Sequence, residues 1–175
     1  MLEYDAESFF EDRMLYLDGE AFFEVKKGSK FSVTTDQGTV SVLGTSFNVC
    51  DRPGRFEVQC KTGKVAVANR SQEVILTPGL ATDNSNGELA EAYAIAVDRN
   101  WTEGVFSFDA DPMTFVLSEL ERQFDVQISA NGTEELLYTG EFNKNDLETA
   151  LMVVCGPMGL DYSIEAQDQV TITLK

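Results

Sequence analysis

Histidine is absent from the 175 residues. That removes the side chain that titrates near neutrality, the commonest metal ligand, and every Ser-His or Cys-His pair, so hydrolases of those designs are excluded. Cationic side chains are scarce as well: thirteen Lys+Arg stand against thirty Asp+Glu, for a formal net charge of −17 at pH 7. Spread along the chain, this excess repels phosphate, and no nucleic acid partner is expected. Cysteine is limited to Cys50, Cys60 and Cys155, with no CxxC pair. Without histidine they make no zinc site. No apolar run reaches the ~18 residues of a membrane helix, and the start, Met1-Leu2-Glu3-Tyr4-Asp5, lacks the basic-then-apolar order of a signal peptide.

What is present suits packed cores. Hydrophobic residues make up 43% and aromatics 10%, with twelve Phe, too apolar for a disordered chain. A mass of 19.4 kDa allows one core or two. From Met14 to about Thr82, apolar and polar residues alternate in short runs closed by turn signals, the period of antiparallel strands. Strands are expected at Met14 to Leu17, Ala21 to Val25, Phe31 to Thr35, Thr39 to Leu43, Ser46 to Cys50, Arg55 to Cys60, Lys64 to Ala68 and Glu73 to Leu76. Glycine recurs in the connections, as in Gln37-Gly38, Pro53-Gly54 and Thr62-Gly63, where tight turns need positive φ. Eight short strands at near-regular spacing imply a sandwich, roll or small barrel. Residues 1–13 are ambiguous between a short helix and an extra strand.

Asp83-Asn84-Ser85-Asn86-Gly87 is a cluster of turn formers, and Ala92 to Val97 reads as one further strand before the single tryptophan, Trp101. This seam divides an all-β sandwich or roll domain, 1–97, from a small α+β domain, 98–175. In the latter, Val105 to Phe108 is a strand. Asp111 offers a helix N-cap ahead of Pro112, and Val116, Leu117, Leu120 and Phe124 form one amphipathic stripe. Strands are expected at Val126 to Ser129 and Tyr138 to Phe142. Asn145 with Glu148 makes a capping-box-like start for a second helix, presenting Leu147, Leu151 and Val154 inward and ending at Gly156-Pro157. Asp161 to Glu165 and Val170 to Leu174 close the chain as a hairpin, giving the order β-α-β-β-α-β-β.

Residues that suggest chemistry have structural readings beside them. Asp109, Asp111, Glu119 and Glu121 would be the carboxylates of a glycosidase-like pair, but Asp111 serves as a cap, and Glu119 and Glu121 flank inward Leu120 on a solvated helix face. Gly44, Gly104 and Gly140 fit no phosphate-binding motif and read as turn glycines. Asp83 to Gly87 is shorter than a calcium loop and lacks its distal Glu. Trp101, Phe106, Phe108, Phe115 and Phe124 suggest an aromatic groove, yet their spacing fits core. In a hairpin centred on Pro53-Gly54, Cys50 and Cys60 are offset by about three positions, putting their Cα atoms ~10 Å apart, beyond the ~7 Å limit of a disulfide. Three buried or half-buried free thiols are expected. No catalytic residue, cofactor or metal site is assigned, and the chain reads as a non-enzyme.

Several segments together carry a resemblance. Leu17-Asp18-Gly19-Glu20-Ala21-Phe22-Phe23-Glu24-Val25, Phe31-Ser32-Val33-Thr34-Thr35, and Val42-Leu43-Gly44-Thr45-Ser46-Phe47-Asn48-Val49 resemble the FecR family. Thr62-Gly63-Lys64-Val65-Ala66-Val67 and Leu76-Thr77-Pro78-Gly79 look like that family's later strand and turn, in the expected order. In the second half, Trp101 to Phe108, Leu120 to Val126 and Tyr138 to Phe142 resemble the carboxy-terminal module of FecR-like proteins, itself similar to the short amino-terminal domain of secretins and TonB-dependent receptors.

The resemblance implies the periplasmic part of a single-pass inner-membrane anti-sigma factor. Such a protein senses the signalling domain of an outer-membrane TonB-dependent transducer and controls an extracytoplasmic-function sigma factor. The sigma-binding activity would reside in a cytoplasmic segment outside these residues, and an anchored parent chain would need an apolar span of ~20 residues ahead of them. The expected partner surface lies in residues 102–175 and works by strand addition. Val170, Thr171, Ile172 and Thr173 are one candidate edge, or an interior strand. The bend near Asp98 to Trp101 is where two arrangements would interconvert. A glycan-binding or adhesion module of the cell envelope is the alternative.

Overall fold

Short alternating runs pair with their neighbours, and the apolar half of each closes on one core. In the computed structural model, residues 1–85, 87–95, 101–165 and 168–174 are described. The chain divides into two units, Met1–Ile95 and Ala96–Lys175. The first contains β1 (Leu2–Glu3), a single helical turn α1 (Phe9–Asp12), β2 (Met14–Leu17), β3 (Gly19–Glu24), β4 (Phe31–Thr34), β5 (Thr39–Val42), β6 (Ser46–Arg52), β7 (Arg55–Cys60), β8 (Val65–Ala68), β9 (Glu73–Leu76), β10 (Leu80–Ser85), β11 (Glu88–Leu89) and β12 (Tyr93–Ala94).

These strands form two sheets. One runs β1-β2-β4-β5-β8-β9, the other β11-β10-β7-β6-β3 with β12 on β10. Val33, Val40, Val42, Val65, Val67 and Leu76 of the first sheet meet Phe47, Val49, Phe56, Val58 and Cys60 of the second in one cluster. The architecture is therefore a β-sandwich, each fully buried Val, Leu or Phe contributing roughly 1.5–3 kcal/mol of transfer free energy. Arg52 lies opposite Arg55, so Cys50 faces Glu57 and Cys60 faces Phe47. All three cysteines are free and buried.

The turn cluster at Asp83 is a correction. β10 continues through Asp83, Asn84 and Ser85, pairing Asp83 with Glu57 and Asn84 with Leu89. Ladder pairing on both sides outweighs the turn preference of those residue types. Of the strand expected at Ala92 to Val97, Tyr93–Ala94 is present, and residues 96–97 lie outside the described residues. Residues 98–100 of the expected bend lie outside them too. Both readings of the first thirteen residues find a place, in β1 and α1.

The second unit opens with a 3₁₀ turn at Trp101–Glu103, followed by β13 (Val105–Pro112), α2 (Met113–Phe124), β14 (Gln127–Asn131), β15 (Leu137–Asn143), α3 (Leu147–Cys155), β16 (Leu160–Glu165) and β17 (Gln169–Leu174). The expected β-α-β-β-α-β-β order is present. β13 and β15 form an antiparallel ribbon, and the remaining strands a sheet of order β14-β17-β16. β14 is parallel to β17, and β16 antiparallel. Both sheets and both helices share one core, including Phe106, Phe108, Leu120, Phe142, Leu151 and Ile172.

Both helix starts fall one residue later than expected. Asp111 belongs to β13, and Pro112 takes the N-cap position of α2. Asp146 rather than Asn145 caps α3, its Oδ2 accepting the Thr149 N–H at 2.7 Å. That phase buries Ala150, Leu151, Val154 and Cys155, whereas Leu147 is only half-buried.

Candidate protein-interaction surface

The sequence of β17 alternates strictly. Val170 and Ile172 are 1% and 0% exposed, while Thr171 and Thr173 project from the other face. Val170 pairs with Ile128 on one side and Ile164 on the other, and Ile172 with Ala130 and Tyr162. The segment Val170 to Thr173 is therefore interior, its ladder filled on both flanks. Strand addition at β17 itself is not available, and the sheet's edges are β14 and β16. Local alternation identifies a strand but carries no information about its rank in the sheet, so it is compatible with an edge and with an interior position.

The same registers build the sheet's outward face. Ser129, Thr171 and Ser163 form one row across it, with Asn131, Thr173 and Asp161 on one side and Gln127, Gln169 and Glu165 on the other. Gln169 donates to Gln127 Oε1 at 2.7 Å, and the Thr171 hydroxyl to Glu165 Oε1 at 3.1 Å. The face is polar, with no hydrophobic residue among the nine.

The two edges differ. Gln127 N–H donates to Asp168 O, which directs the odd-numbered amides of β14 toward β17 and the even-numbered ones outward. Outward-facing Ile128 N–H is taken by the Glu121 carboxylate at 2.8 Å. On β16 the same geometry turns Ser163 toward β17 and leaves the amides and carbonyls of Tyr162 and Ile164 on the free side, where no strand pairs with them among the described residues. Ile164 is 47% exposed. Edge β16 is thus the open one.

Three of the four carboxylates considered for acid-base work, those of Asp111, Glu119 and Glu121, are occupied structurally. Asp111 Oδ2 accepts the Asp109 N–H at 3.1 Å beside a register shift between Phe108 and Asp111, where Ala110 has φ 50°. Glu119 is a correction: it is 3% exposed rather than solvated, paired with Arg122 at 2.7 Å and accepting from Gln123 Nε2 at 2.7 Å. Gly140 is also no turn glycine. It lies inside β15, where a Cβ would come within 2.5 Å of the Tyr138 hydroxyl oxygen. The aromatics are core, with Phe106, Phe108 and Phe142 stacked at 5.1 and 5.7 Å, and Trp101, Phe115 and Phe124 packed against them. Among the described residues no group of three or more His, Cys, Asp or Glu could hold a metal ion, and no helix is long and apolar enough to cross a membrane.

Sequence reading missed a polar row in the sandwich. On the face of β6 and β7 turned away from the apolar core, Asn48, Cys50, Glu57 and Gln59 are all buried. The Glu20 carboxylate joins this row to β3, pairing with Arg52 at 3.0 Å and accepting from Asn48 Nδ2 at 2.8 Å. Arg55 and Gln59 converge on Glu57 at 2.8 and 2.7 Å. Burial, reinforced by Glu20, pushes the Cys50 thiol up to about 12. Alternating polar residues read as a solvent face, and only tertiary structure distinguishes a covered polar face from an open one.

The family profile described as FecR protein matches residues 3–66, and the profile described as FecR, C-terminal matches residues 105–172. Among solved structures, the crystal structure at 1.65 Å resolution of a candidate anti-sigma factor from Parabacteroides distasonis ATCC 8503 is similar to this chain. The identity is 27% and the TM-score 0.88, covering 99% of this chain and 86% of that one. A second crystal structure of such a protein from the same organism, at 2.50 Å, gives the same identity and TM-score, with 85% of its chain covered. No curated protein matches the sequence.

Proposed function

The chain belongs to the FecR family of anti-sigma factors, and from that premise we propose that these residues are a periplasmic signal-receiving region, binding the signalling domain of an outer-membrane TonB-dependent transducer. The observation that carries the reading is the second unit, which the carboxy-terminal FecR profile spans almost entirely and which ends in a sheet with an open edge. Main-chain groups of Tyr162 and Ile164 would supply the hydrogen bonds, and the polar row Ser129, Thr171, Ser163 the adjoining contacts. This relocates the contact strand from β17 to β16 while keeping Thr171 and Thr173 on the partner surface. Control of a sigma factor then passes through a membrane-anchored parent chain and a cytoplasmic segment beyond these residues.

Such a receiver requires no nucleophile, base, cofactor or metal, only a surface whose occupancy biases one arrangement of the regulator. The test is calorimetric titration of the chain with the amino-terminal signalling domain of a TonB-dependent transporter, read together with hydrogen exchange. Expected are saturable binding, slowed exchange at Tyr162 and Ile164, and at least ~10-fold weaker binding by Ile164→Pro, which removes an outward amide without touching the ladder to β17. Full binding by that variant, with no protection along β16, would refute strand addition there. A change in Trp101 fluorescence on adding sugars would favour the glycan-binding alternative.

A further inference from the structure

Five of the thirteen cationic side chains, Lys26, Lys27, Lys30, Lys61 and Lys64, fall in two short connections, β3–β4 and β7–β8. The fold gathers these connections around the β5–β6 turn. Val25 N–H donates to Thr45 O at 2.9 Å, Gly28 N–H to Leu43 O at 2.8 Å, and Lys61 N–H to Ser46 O at 2.9 Å. Gly44 permits the approach, since a Cβ there would lie 2.4 Å from Lys27 Cα. Residues 25–30, 43–46 and 61–64 contain no Asp or Glu. In a chain of net charge −17, this end of the sandwich is a local cationic pole.

A trough of about 330 Å³ opens here on the outward face of the first sheet, lined by Lys30, Leu43, Thr45, Lys64, Ala66 and Ile75 among others. Its floor is low because Ser41, Ala66 and Ile75 lie side by side across β5, β8 and β9. Leu43 is 62% exposed and Ile75 48%. Neither Lys30 nor Lys64 has an ion-pair partner among the described residues. Thr45 is 4% exposed, and its hydroxyl oxygen has no hydrogen-bond partner among the described residues. The acidic side chains of residues 5–12, which lead into β2, do not line the trough.

We propose that this trough is a docking site for an acidic peptide segment of a partner protein, anchored by an apolar side chain. The apolar residue would rest on Ala66 between Leu43 and Ile75, with carboxylates on either side reaching Lys30 and Lys64. Charge complementarity selects this occupant. An acidic segment is disfavoured by the chain's net charge and attracted to Lys30 and Lys64; Glu24, opposite Ser46, and Glu73, two positions from Ile75 on the same face, are the nearby carboxylates, and neither lines the trough. Concavity selects a side chain over a flat bilayer surface. The site is separate from the β16 edge and stands or falls without it.

The test uses the whole chain, ¹⁵N-labelled, and a fluorescein-tagged synthetic peptide alternating Asp with Leu. Anisotropy should show saturable binding. Amide shifts should be confined to Lys30, Ser41 to Thr45, Lys64 to Ala66 and Ile75. Lys30→Glu combined with Lys64→Glu should weaken binding at least ~10-fold, and Leu43→Ser should weaken it as well, with melting unchanged because all three side chains face solvent. Four results would overturn the proposal: equal binding of an Asp-Ser peptide, amide shifts elsewhere, binding of phosphatidylglycerol vesicles but not of the peptide, or self-association that the lysine variants abolish while no peptide binds. The wild-type shift map decides the matter even if a variant fails to fold.

Discussion

Cys50 and Cys155 are buried, and removal from water is the first cause of their raised pKa values, about 12 and about 11. At pH 8 the native chain should react slowly with a thiol reagent, and three thiols should titrate promptly in denaturant. A pH dependence follows. Unfolded thiols ionise near 9.0, while the folded ones keep their protons until about 11 and about 12. The unfolded state therefore loses protons first, and stability should fall as pH rises through that window, as urea melts at successive pH values would show. Asp146 works in the opposite sense. Hydrogen bonds from the Thr149 hydroxyl and then from its N–H hold the carboxyl below the usual 3.8, so its contribution is present above that pH and lost as pH falls below it. Asp146→Ala should lower the melting temperature more than Asp146→Asn, which keeps an acceptor oxygen. Gly140→Ala should cost about 1–3 kcal/mol, because the new methyl must displace the Tyr138 ring.

Among the strands and helices, local pattern and tertiary context divided the labour visibly. The Arg52–Arg55 hairpin, the eight sandwich strands and the Val116–Leu120 stripe were legible because turn glycines and apolar period act within a few residues. β10 was not, since Asp83 and Asn84 carry turn preference and only β7 and β11 hold them extended. The cap at Asp146 and the bulge at Ala110 needed knowledge of which carboxylate another backbone amide would claim. The partner surface was legible as a module and not as a strand. Proline substitutions separate the two roles: Thr171→Pro, which removes a ladder amide from interior β17, should unfold the second unit in circular dichroism. Ile164→Pro, at the free edge, should leave it folded.

Across the chain, the charge of −17 is the dominant long-range term. Self-repulsion of this size is screened over about 8 Å at physiological ionic strength, so melting temperature should rise as salt is raised from ~10 to ~150 mM. The cationic end of the sandwich is the exception, and the same salt should weaken whatever acidic segment seats there. Timing is written into the second unit as well. Its three-stranded sheet is completed by the latest of its own strands, which slots between two strands made earlier, so nascent β14 and β16 must wait unsatisfied until β17 has emerged. The sheet therefore closes in one late step, and nascent-chain stalling just short of β17 should yield a protease-sensitive, chaperone-dependent species.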